Sequence, residues 1–164
     1  MICHDTQPYN GILNVTFDKY DIPYFMDTHK DIEVKPVIRL VNSIFRLILD
    51  NFEREDVISF LKTGLTSNSE EEISIFENYV YVWNINNSLF KSEFKQNPRG
   101  FSGNFKESDI KNLETAEKVR KSVTEPLSEF KESIKDKNGL EITTQLYNLL
   151  TKLNVQNTLS KMYD

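Results

Sequence analysis

The sequence predicts a mostly α-helical fold: a helical domain over residues 28–164, preceded by a short strand–helix–strand piece over residues 1–27. Three observations carry that expectation. The run Pro36 to Phe52 is apolar on nearly every face of a helix, interrupted only by Arg39, Asn42, Ser43, Arg46, Asp50 and Asn51. A surface helix shows an apolar stripe a little over 100° wide, so a run this apolar predicts a helix wrapped by neighbours. Helical spacing recurs at Ile142, Leu146, Leu149, Leu150 and Leu153, and near-heptad spacing at Ile110, Leu113, Arg120, Val123, Leu127, Phe130 and Ile134. Finally, the chain has only five glycines and five prolines in 164 residues, so turns are few and helices long.

In order along the chain, Met1 to Asp5 reads as the tail of a buried strand. Pro8 then opens a helix with Tyr9, Ile12, Leu13, Phe17 and Tyr20 on one side. Asp21 to Met26 is an extended run, because the residue before Pro23 is pushed out of the helical region. Pro36 suits the first turn of the apolar helix, where its missing N–H would have had no partner. That helix is expected to be the centre of the core. Arg54 to Lys62 is a further helix, with Gly64 placed to end it in the left-handed conformation. Ser69 and Glu72 have the spacing of a capping box, opening a helix that buries Ile73, Phe76, Val80 and Trp83. Asn84 to Asn104 is irregular. From Ser108 to about Ser133 a long helical pattern runs into Pro126, which is expected to kink or split it. Leu140 to Leu153 and a short segment from Gln156 to Met162 complete the helices.

Composition limits the function. With 38% hydrophobic and 27% charged residues the chain is an ordinary globular one. Its net charge of −5 argues against a general nucleic-acid coat, which would be basic. Cys3 is the single cysteine, so an internal disulfide and a cysteine-rich metal site are excluded. The apolar run is shorter than the roughly 20 residues of a membrane span, and no signal peptide or lipidation motif is visible, so a cytoplasmic location is expected. His4-Asp5 and Asp27-x-His29 hold the only two histidines. No third ligand stands at a telling spacing, so they are expected to be ordinary residues and no metal site is assigned. Lys118, Arg120 and Lys121, among Glu114, Glu117 and Glu125, read as a solvated helix face with i,i+4 pairs.

The stretch 86–106 stands apart. It carries Lys91, Lys95, Arg99 and Lys106 against Glu93, a charge of +3 that leaves −8 on the rest of the chain. Phenylalanines 90, 94, 101 and 105 lie between the cations. Phosphates are met by Lys and Arg and unpaired bases stack on aromatic faces, so these four cations are the candidate DNA or partner contacts. The alternative is a connection pinned to the core by the four phenylalanines, with solvated lysines between them.

Several stretches in this order resemble one family: Tyr9-Asn10-Gly11-Ile12-Leu13, Ile22-Pro23-Tyr24-Phe25-Met26-Asp27, Leu61-Lys62-Thr63-Gly64-Leu65, Glu77-Asn78-Tyr79-Val80 and Asn97-Pro98-Arg99-Gly100-Phe101, with Glu125-Pro126-Leu127 and Leu146-Tyr147 following. The chain resembles the B subunit of the AddAB (RexAB-type) ATP-dependent helicase–nuclease, where a UvrD-like 2A domain passes into its helical 2B insertion. The resemblance implies an α/β piece of 2A type followed by a 2B-like helical domain, both part of a larger subunit. It implies a parent heterodimer with an A subunit that processes DNA double-strand breaks, using ATP, magnesium and an iron–sulfur cluster. None of those centres is expected here: there is no G-x-x-x-x-G-K-S/T phosphate loop. Motor helicases carry a Gln-Ser-Arg-like motif early in this region; here it reads Thr6-Gln7-Pro8-Tyr9-Asn10, without arginine. The expectation is a non-catalytic structural domain, with a stand-alone helical protein-interaction module as the alternative.

Overall fold

In the computed structural model the described residues are 7–9, 11–25, 35–101 and 103–163. They form seven α-helices and two short 3-10 turns, with no strand among them. The chain divides into two compact units, Met1–Ile32 and Glu33–Asp164.

The first unit holds a 3-10 turn, Gln7–Tyr9, and helix α1, Ile12–Lys19. Gly11 caps α1 with φ at 86°, a conformation open to glycine, so the helix starts later than Pro8. No residue of α1 is buried. Phe17 and Tyr24 pack their rings 5.1 Å apart. The strand–helix–strand expectation is not supported. Residues 22–25 are irregular and unpaired with any ladder, and the first expected strand lies outside the described residues. Proline 23 makes its predecessor extended, but an extended segment becomes a strand only when a neighbour accepts its hydrogen bonds.

The second unit runs α2 (Pro36–Leu49), α3 (Arg54–Leu61), α4 (Glu70–Val82), a 3-10 turn (Asn87–Lys91), α5 (Glu107–Ser133), α6 (Gly139–Lys152) and α7 (Val155–Tyr163). Pro36 occupies the first turn of α2 as expected, and Leu40, Ile44 and Leu47 are fully buried. The helix is less enclosed than its sequence suggests. Arg39, Asn42, Arg46 and Leu49 line an exposed stripe, and Leu49 is 79% accessible. The hub is α5, which packs against α2, α4, α6 and the 3-10 turn. Its inner face is Ala116, Val119, Val123, Leu127 and Phe130.

The helix ends follow local chemistry. Asn51 and Phe52 both take positive φ, which stops α2 and turns the Phe52 ring into the core. A bulky side chain in that region costs roughly 1–2 kcal/mol, against which the buried ring must compensate. Ser69 and Glu72 form the expected capping box of α4, and Asn138 with Glu141 forms another at α6. Gly64 is left-handed, with φ at 72°. Of the two outcomes expected at Pro126, the split does not occur: α5 continues through it. Pro126 and Leu127 are both buried, so packing on this face holds the helix together where its backbone ladder is weakened.

Candidate functional site

The stretch 86–106 begins on a fixed base. The Asn86 side chain accepts from the backbone N–H groups of Arg54 (2.8 Å) and Asn87 (3.0 Å). The Asn87 N–H also donates to the Phe52 carbonyl at 2.9 Å, which ties the 3-10 turn to the α2–α3 corner. Phe90 and Phe94 are buried and stack on Phe76, each at 6.1 Å between ring centres, and Phe94 stacks on Tyr79 at 4.6 Å. Tyr79, a residue that the periodicity leaves beside the buried face, is wholly buried and donates its hydroxyl to Gln96 Oε1 at 2.7 Å. Burial pushes the Tyr79 phenol above its ordinary value.

Two of the four phenylalanines therefore pin this connection and two do not. Phe101 is 98% exposed and Phe105 about half exposed. The difference arises in the chain between the two pairs, where residues 97–100 form a turn that lifts Phe101 off the core.

The four candidate cations fall into different settings. Lys91 reaches Asn51 Oδ1 at 3.3 Å, and its ammonium lies 5.8 Å from the centre of the Phe52 ring. Lys95 is exposed and pairs with Glu93 at 2.9 Å. Arg99 donates through Nε and Nη2 to the two carboxylate oxygens of Asp109, at 2.9 and 2.8 Å. Lys106 is the cap of α5, and its backbone N–H donates to the same Asp109 carboxylate at 2.8 Å. Arg99 and Lys106 thus converge on one buried acid. The Arg99 guanidinium, and then the Lys106 amide, hold the Asp109 carboxyl below its ordinary value.

A second ion pair was not legible as such. Arg120 lies at the buried face of α5 rather than on a solvated one. It grips Glu117 with Nε at 2.6 Å and Nη2 at 2.5 Å, and donates Nη1 to the Phe90 carbonyl at 2.9 Å. Glu117 also accepts the Phe94 N–H at 3.1 Å. This pair clips both ends of the Phe90–Phe94 segment onto α5. Burial raises the Glu117 carboxyl, but the Arg120 guanidinium and the Phe94 amide outweigh it and leave the group below its ordinary value. The signal in the sequence was phase: Arg120 shares the spacing of Val123 and Leu127. Lys118, expected to pair with Glu114, instead bridges to Glu72 of α4 at 2.6 Å. Glu117 and Lys121 do approach, at 3.6 Å.

Among the described residues no group of three or more His, Cys, Asp or Glu could hold a metal ion. His4, Asp5, Asp27 and His29 lie outside the described residues. No described helix is long and apolar enough to cross a membrane.

Comparison with known proteins settles the kinship. No family model matches the chain. It is 31% identical over 162 residues, 98% of its length, to the B subunit of the ATP-dependent helicase/deoxyribonuclease of Clostridium novyi. The chain belongs to the family of helicase/deoxyribonuclease B subunits, as a segment of such a subunit. The B subunits of the same name from Thermoanaerobacter sp. (strain X514) and Clostridium perfringens (strain ATCC 13124) are each 32% identical, over 154 and 173 residues, or 92% and 100% of the chain. The chain spans only 13% to 15% of the length of these relatives. The family resemblance carried by Ile22-Pro23-Tyr24-Phe25 and Asn97-Pro98-Arg99-Gly100 is thus shown across the chain.

Proposed function

We propose that this segment is a non-catalytic helical arm of an ATP-dependent helicase–nuclease subunit, at the point where a UvrD-like 2A domain passes into its 2B insertion. The supporting observation is end-to-end similarity to subunits of that name, 31% over 98% of the chain. The parent would work with an A subunit in the cytoplasm, processing DNA double-strand breaks for recombinational repair. Its ATP, magnesium and iron–sulfur chemistry would belong to other parts of the polypeptide. The arm would shape the DNA path or pack against the partner subunit, with Lys91, Lys95, Arg99 and Lys106 as the contact residues.

The geometry favours unequal roles among those four. Arg99 is committed to Asp109, whereas Lys95 and Lys106 stand at exposed positions. In the whole heterodimer, Lys91, Lys95 and Lys106 are replaced together by alanine and binding to a blunt-ended duplex is measured across salt. Each phosphate interaction removed should lower the log–log salt slope by about one. An unchanged slope, with the protein folded, removes DNA contact from this stretch and leaves partner packing. Purified 1–164 chain is expected to turn over neither ATP nor linear DNA with magnesium, and turnover of either would end the non-catalytic reading.

A further inference from the structure

Phe101 is the most exposed large apolar side chain among the described residues, at 98%. The turn beneath it is braced. Trp83 Nε1 donates to the Asn97 carbonyl at 2.9 Å, and the same carbonyl accepts the Gly100 N–H at 2.9 Å. The Asn97 side chain accepts the Arg99 N–H at 3.0 Å, and Asn97 is itself buried. Gly100 takes φ at 78°, which a residue with Cβ adopts only with strain, and a Cβ there would stand 3.5 Å from Val82 Cγ1. The Phe101 ring meets Trp83 edge-on at 5.1 Å. Folding this turn therefore presents an apolar ring to water, where it gains nothing from burial.

An aromatic side chain presented by a braced turn is the kind of anchor that dominates protein interfaces, because the backbone beneath it needs no reordering when it seats. The surroundings select the kind of surface. The neighbouring guanidinium of Arg99 is engaged by Asp109 at 2.8 Å, the ring's edge partner is Trp83, and half-exposed Val82 stands beside Gly100 at the base of the turn. Phosphate binding draws on cations that release counterions, and here the adjacent cation is already matched by a carboxylate. An apolar pocket on protein fits this rim better than a nucleic-acid strand does.

We propose that Phe101 is a docking anchor seated in an apolar pocket on the same polypeptide, supplied by the part of the longer subunit outside residues 1–164. The occupant follows from length: the chain makes up only 13% to 15% of its relatives. A pocket on a covalently linked domain also meets the ring at high effective concentration. The inference rests on the chain being a segment of that subunit.

Hydroxyl-radical labelling with mass spectrometry tests it. Oxidation of Phe101 is measured in the 1–164 chain, in the whole subunit alone, with its partner subunit, and with single-stranded DNA. A buried anchor should be labelled about tenfold more slowly in the whole subunit alone than in the 1–164 chain. Protection that appears only with the partner subunit, only with DNA, or not at all overturns the proposal. As a second reading, Phe101→Ala should leave the melting temperature of the 1–164 chain unchanged and lower that of the whole subunit; equal shifts in both count against it. Protection of Phe101 with an unchanged DNA salt slope in the lysine variant keeps this inference and removes the DNA contact.

Discussion

At the scale of single residues, the arrangement around Glu117 and Arg120 shows how few groups hold the irregular stretch. Glu117 answers the Phe94 amide and Arg120 answers the Phe90 carbonyl, so two backbone groups of a non-helical segment are satisfied by one ion pair on α5. Both side chains are largely enclosed, at 14% and 9% accessible. Removing one partner of such a pair leaves a charge without compensation and costs roughly 3–5 kcal/mol, whereas removing both costs less. Arg120→Ala is therefore expected to lower stability by about that amount, and Arg120→Ala with Glu117→Ala together by clearly less than the two single changes added. Chemical denaturation of the four proteins reads the coupling; additive losses would show that the pair does not act as a unit. The same carboxyl gives a pH dependence. Its folded value lies below the unfolded one, so its contribution is fully present above the ordinary carboxylate range of about 4.3 and is lost as pH falls through the lowered folded value. Glu117→Gln should flatten the acid limb of the stability profile.

At the scale of elements, α5 and α2 exchange the roles that their sequences suggest. Hydrophobic density marks α2 as central, but density measures how apolar a helix is and not how many partners surround it. Its exposed stripe of Arg39, Asn42, Arg46 and Leu49 shows one side left open. The more polar α5 is longer and touches helices on several sides, with most of its polar residues turned outward. Pro126 adds a direct test of what holds α5 together. An interior proline costs about 3 kcal/mol relative to alanine. Its replacement removes roughly two buried carbons at about 0.8 kcal/mol each, and the freer unfolded chain costs about 0.4–1 kcal/mol more. The balance favours the variant: Pro126→Ala should raise stability by about 0.5–1 kcal/mol, seen as a higher urea midpoint with unchanged slope. A lower midpoint would mean that ring packing in the core outweighs the helix penalty.

At the scale of the whole molecule, helices were legible where period, cap and turn residues agreed: Ser69 with Glu72 opening α4, Pro36 opening α2, and the leucines of α6. The irregular course of residues 22–25 was not, because Ile22-Pro23 fixes local extension while pairing depends on a neighbour that no local pattern encodes. The candidate site divided in the same way. Composition located a basic, aromatic stretch, but which phenylalanines face inward depended on α5 folding back over it. Glu117 lies 23 residues from Phe94 and Arg120 lies 30 residues from Phe90, so only tertiary contact joins that part of α5 to the stretch. Charge at this scale leads to the last prediction. The chain carries a net −5, Lys95 and Arg99 already have acidic partners, and phosphate affinity grows with the number of cations left to neutralise it. The 1–164 chain should therefore bind single-stranded DNA no tighter than about 10⁻⁴ M at physiological salt, the weak end of non-specific binding. Titration of a fluorescent oligonucleotide measures this directly. Saturation at micromolar protein, abolished by raising salt, would show that the basic stretch acts as an independent DNA-binding surface.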